Sequence, residues 1–97
     1  PMSSVRFSKN LRESAATLVI LGDAYGDLGQ HPAAMRAYRQ ALDIDGGLTP
    51  AWAGLARGHI KLGQSSEAED IARSLEKSDP RLAAALRQEI ASAQRSR

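Results

Sequence analysis

The chain repeats itself. Laying residues 15–48 over residues 49–82 at an offset of 34 returns eight identities: Leu21/Leu55, Leu28/Leu62, Gly29/Gly63, Gln30/Gln64, Ala34/Ala68, Arg39/Arg73, Asp45/Asp79 and Leu48/Leu82. About two or three would be expected by chance, and a constant period of this size marks a stacked-unit architecture. No insertion interrupts the register. Each copy reads as an apolar series, a Gly-Gln break, a second series and an acidic turn. In copy one the series run through Leu18, Leu21 and Tyr25, then through Ala34, Tyr38, Ala41 and Leu42, the three-and-four spacing of amphipathic helices.

The punctuation fits two helices per unit. Gly29 and Gly63 stand where a first helix would end in the left-handed conformation. Pro32 opens the next helix, where its missing N–H leaves no bond unmade. Ser65 or Ser66 would cap the matching helix of copy two. After the second copy, Asp79-Pro80 is a capping residue followed by proline at the first helical position. A helix from about Pro80 to about Gln94 would align Leu82, Leu86 and Ile90, with Ala83 and Ala93 widening the stripe. Asn10 with Glu13 forms a capping box, which predicts a first helix beginning near Leu11 and leaves residues 1–9 disordered or weakly docked through Phe7.

Composition narrows the packing. Apolar residues make up 42% of the chain but aromatics only 4%, and 17 of the 97 residues are alanine. Helices that approach closely on small side chains satisfy this; a sandwich or barrel, rich in aromatic and β-branched residues, does not. With no cysteine, disulfides, thiolate metal sites and cysteine nucleophiles are excluded. The longest apolar stretch, 15–21 broken by Thr17, falls far short of the roughly 18 to 20 residues that span a bilayer, so no membrane insertion is expected. Compartment stays open, with cytoplasmic slightly ahead of periplasmic. Ten arginines against three lysines, together with the alanine content, suggest a bacterial, G+C-rich source.

These repeats resemble the tetratricopeptide repeat family, whose 34-residue unit follows W-x2-L-G-x2-Y, then A-x3-F, then P. Copy one supplies Leu18, Leu21, Gly22 and Tyr25, then Ala34, Tyr38 and Ala41; copy two supplies Trp52, Leu55, Ala56 and His59, then Ala68 and Pro80. Departures are Gly46 for the closing Pro, His59 for Tyr, and Ala72 with Leu75 for the pair Tyr38 with Ala41, a swap that roughly keeps packed volume. Glu76, in the place of Leu42, predicts that the second helix of copy two frays or is exposed near its end. The resemblance implies an all-α, right-handed stack of antiparallel helix hairpins. It would comprise a lead segment at 1–14, repeats at 15–48 and 49–82, and a remainder at 83–97 completing the capping helix that begins near Pro80.

Catalytic chemistry finds no constellation. His31 and His59 stand apart and read as a solvent-facing cap and a semi-buried packing residue. Asp43-x-Asp45-Gly46 has its glycine at the wrong position for a calcium loop. Gly22, Gly26 and Gly29 do not match a dinucleotide fingerprint; they read as close helix packing, a groove residue and a helix stop. The expectation is a protein that is not an enzyme and needs no cofactor or metal.

In the family that this chain resembles, the first helices of successive repeats line a concave groove that holds a partner's segment. Carried over position by position, the groove residues are Ala16, Val19, Ile20, Asp23, Gly26 and Asp27 in copy one, Ala53, Gly54, Arg57, Ile60 and Lys61 in copy two, and Arg87 with Gln88 or Gln94 in the last helix. Asp23 becomes Arg57 and Asp27 becomes Lys61 at the repeat offset. Either these charges pair between neighbouring helices, or they form a bipolar groove that orients a charged partner segment. Related adaptors grip a carboxylate with Lys and Asn at positions that here hold Val19 and Asp23, which disfavours that activity. The expected function is a non-catalytic protein-interaction scaffold, adaptor or assembly chaperone with a protein or peptide partner. The alternative is an oligomerisation or spacer module of a larger secretion or pilus type of assembly, with a homodimer as one form. Nucleic-acid binding ranks third, because the net charge is only +2 and the basic excess lies in the two ends rather than on a folded face.

Overall fold

A computed structural model describes the backbone of residues 2–95 and the side chains of residues 14–95. Five helices follow one another: α1 (Met2–Asp27), α2 (His31–Ile44), α3 (Thr49–Lys61), α4 (Ser65–Leu75) and α5 (Pro80–Arg95). The first four form two hairpins, α1 with α2 and α3 with α4. Helix α2 packs between α1 and α3, and α4 between α3 and α5. The odd-numbered helices also touch in succession, making one continuous layer of an all-α hairpin stack.

The same device ends α1 and α3. Gly29 and Gly63 adopt φ of +79° and +77°. The N–H of Gln30 then reaches the Tyr25 carbonyl at 2.9 Å while Gly29 bonds Gly26 at 3.0 Å; Gln64 to His59 at 2.7 Å and Gly63 to Ile60 at 3.0 Å repeat the pattern. These paired bonds satisfy carbonyls that the helix leaves open, and only glycine enters the conformation without a Cβ penalty. At α5 the Asp79 carboxylate accepts the Leu82 N–H at 3.2 Å, the cap expected ahead of Pro80.

Two helix starts differ from expectation. Helix α4 has Gln64 at its N-cap without a side-chain bond, so Ser65 and Ser66 lie inside the first turn and cap nothing. Helix α1 begins at Met2 rather than near Leu11. No proline or glycine interrupts the chain between Met2 and Gly22, so nothing stops the backbone ladder there. The Asn10–Glu13 box and the docking of Phe7 concern side chains outside the described residues.

The main core draws Ala15 from α1, Met35, Tyr38 and Ala41 from α2, Ala51 and Leu55 from α3, Ile71, Ala72 and Leu75 from α4, and Leu86 from α5. Alanine faces let the helices close in, and each large apolar side chain fully buried among them contributes about 1.5–3 kcal/mol. Tyr38, Ala41, Ala72 and Leu75 are all buried, so bulk has moved by one turn between units without leaving the core. A smaller cluster of Ile60, Ala68 and Ile90 joins α3, α4 and α5. Helix α4 stops at Leu75 and leaves Glu76 exposed; the carboxylate reaches Arg87 on α5.

Between the units, the Trp52 indole N–H donates to the Gly46 carbonyl at 2.9 Å, and the Asp45 carboxylate accepts the Gly47 N–H at 3.1 Å. Asp45 therefore shapes a turn that Trp52 holds against the core.

Candidate partner-binding groove

The groove is built around one aromatic ring. Tyr38 rises from α2 between α1 and α3, and both neighbours present glycine to it. A Cβ on Gly22 would stand 2.7 Å from the ring, and one on Gly54 would come closer still. One turn along α3, a Cβ on Gly58 would meet Met35 at 2.5 Å. Small residues at these three positions allow α2 to sink between the odd-numbered helices and become the floor of a cleft of about 560 Å³.

One wall of that cleft is acidic and the other basic. Asp23, Gly26 and Asp27 come from α1; Ala53, Gly54, Arg57, Gly58 and Lys61 come from α3, with Pro50 at the edge; His31, Ala34 and Tyr38 form the floor. The Tyr38 hydroxyl donates to the Asp23 carboxylate. Burial, followed by that hydrogen bond and the charge of Asp23, pushes the phenol well above its ordinary pKa. Tyr38 thus stays a neutral donor that orients Asp23.

Charge pairing follows a different route from the repeat offset. Arg57 turns to Glu89 of α5, Nε to Oε2 at 3.2 Å, and does not pair with Asp23. Asp27 and Lys61 make no ion pair among the described residues. The cleft therefore offers a free carboxylate on α1, a free ammonium on α3 and a guanidinium already held by a third helix.

The remaining groove expectations fall elsewhere. Ile60 is buried with Ala68 and Ile90, on the side of α3 that faces α4 and α5, and does not line the cleft. Arg87 reaches back toward α4, bonding Glu69 at 3.1 Å and Glu76, so its charge is spent on the hairpin it closes against. Val19 is half-buried against the core, while Ile20 is exposed; neither lines the cleft. His31 is half-buried at the cleft rather than solvent-facing. His59 is buried, its Nδ1 2.7 Å from Oε1 of Gln64, which satisfies one ring nitrogen inside the fold.

Sequence reasoning passed over Tyr38 as a groove residue because it reads as core. The signal was present: copy two replaces it with Ala72, and the facing positions Gly22 and Gly54 are both glycine. Among the described residues no group of three or more His, Asp or Glu could hold a metal ion, and no helix is long and apolar enough to cross a membrane.

An all-α hairpin stack with an internal 34-residue period and a groove between successive first helices defines a helical-repeat protein. The sequence profile of the tetratricopeptide repeat matches residues 27–90, and the chain belongs to that family. A search of curated proteins returns no significant match. Tetratricopeptide repeats generally mediate protein–protein interactions and are typically non-catalytic.

Proposed function

We propose that this chain is a non-catalytic adaptor, scaffold or assembly chaperone that holds a segment of a protein partner in the cleft between α1 and α3. The observation that carries the reading is the pair of uncompensated charges, Asp27 and Lys61, on opposite walls above the Tyr38 floor. Charges left unpaired at a concave surface give register and on-rate to an incoming segment of complementary polarity. A Cβ on Gly26 would meet nothing within 4 Å, so the α1 wall leaves room for its backbone to approach.

Selection of a displayed random-peptide library on the full chain tests this. Enriched peptides should carry a basic and an acidic residue at a fixed separation. Asp27→Lys and Lys61→Asp should each change which peptides are enriched. Because the two side chains do not pair, their effects should be independent. Failure to enrich any peptide, or the same peptides from all variants, overturns the reading.

A second reading, an oligomerisation module, is supported by a different surface at the beginning of the stack.

A further inference from the structure

The two ends of the stack are unlike. Leu21 and Leu55 are repeat equivalents, yet Leu55 is 5% exposed and Leu21 is 43% exposed. The difference lies in what covers them. Helix α2 lies over the face of α3 that carries Ala51, Leu55 and Gly58, whereas no described element lies over the matching face of α1. That open face continues through Ala24 to Leu28, which is 71% exposed, and its edge holds Ile20 at 68%. At the other end, the outer face of α5 shows Ala84, Gln88 and Ala91, all exposed. It has no large apolar side chain of its own, and Arg81 and Arg95 stand there without an ion pair among the described residues.

The shapes and charges of these ends are complementary. Where α3 has Gly54 to receive Tyr38, α1 has Ile20 and cannot accept a large side chain. It requires a helix with small residues at that level, and the outer face of α5 is such a helix. Its stripe at 84, 88 and 91 has the same spacing as 17, 21 and 24 on α1, with Leu28 just past the helix end, so two matching helical faces can lie along one another. One free arginine of α5, Arg95 if the two helices run parallel or Arg81 if they run antiparallel, would then stand near the end of α1 that carries Asp27.

We infer that a second copy of this chain docks its α5 face on the open α1 face, so that copies join end to end. The contact is heterologous: each copy keeps one unused end, and growth does not close after two. A single helix-on-helix contact is smaller than a standard interface of about 1,600 Å², so association should be weak, with half-association at roughly 0.1 to 1 mM.

Sedimentation velocity of the full chain across that range tests the idea, with circular dichroism to verify helix content. The native chain should gain mass continuously with concentration, beyond a dimer. Leu28→Lys, which sets a like charge before whichever of Arg81 and Arg95 lies at that end, and Ala91→Glu, which adds bulk and repels the acidic edge, should each be monomeric alone. An equimolar mixture of the two should form a dimer that grows no further, because the mixture retains one intact pair of ends. A native chain that stays monomeric to about 1 mM overturns the inference. So does a dimer that Ala91→Glu leaves unchanged, since that would place α1 against α1.

Discussion

The ring of Tyr38 occupies the space that a β-carbon on Gly54 would need. Helix α2 lies as deep as it does because α3 lacks one methyl group at that level. Gly54→Ala should therefore cost about 1–3 kcal/mol by overpacking. Gly26 is the contrast: it is helical and lines the same cleft, but a Cβ there meets nothing within 4 Å. Gly26→Ala should raise stability by about 0.5–1 kcal/mol through helix propensity. Urea unfolding of the two variants beside the native chain checks both signs.

Gly63 carries positive φ and donates one of the two backbone bonds that close the end of α3, Gln64 donating the other. Gly63→Ala should destabilise by about 1–2 kcal/mol, the cost of the left-handed region for a residue with a Cβ. Gly63→Asn should lose less, because asparagine tolerates that conformation better than alanine. Equal losses for the two in thermal unfolding would count against the backbone explanation.

Arg87 beside Glu76, through hydrogen bond and charge, lowers the carboxyl pKa. A carboxylate whose folded pKa is depressed adds stability that is fully present above its unfolded value and fades as pH falls through the folded one. The difference in stability between the native chain and Glu76→Gln should thus be largest at about pH 7 and shrink as pH falls through the depressed folded pKa, below which both forms carry an uncharged group. Denaturant titrations across that pH range read this directly. The pair is solvent-exposed, so added salt should shrink the difference at neutral pH.

Arg57 and Glu89 join α3 to α5 beside the cleft. Both are substantially exposed, and a double-mutant cycle with alanine should give a coupling of about 0–1 kcal/mol. The larger consequence concerns binding. Glu89→Gln removes the charge that holds Arg57 and should shift peptides selected on the cleft toward acidic sequences. Unchanged selection would mean that Arg57 takes no part in recognition.

How much of this was legible in the sequence depended on the kind of force involved. Positions fixed by backbone geometry were visible: Gly29, Gly63 and Asp79 act locally, so their residue types announce their conformations. The exposed end of α4 at Glu76 was visible for a related reason, because a charged residue fell in an apolar column. Partners chosen by long side chains were hidden. Arg57 finds Glu89 thirty-two residues on, and Arg87 finds Glu69 and Glu76, whereas comparison at the repeat offset sets Asp23 and Asp27 beside Arg57 and Lys61 only because they share a column. Ile60 was misplaced because periodicity defines a helix face without fixing its rotation against neighbours. At the border between groove and seam, a small rotation decides whether a residue is wet or buried.

Trp52 is the only tryptophan in the chain, and its indole is tethered to the turn that joins the two hairpins. Its emission is therefore a local gauge of the junction rather than of the whole fold. Should the hairpins part before either one melts, fluorescence will change while helical circular dichroism is still intact. The chain thus carries its own optical probe for whether two stacked units behave as one cooperative body or as two.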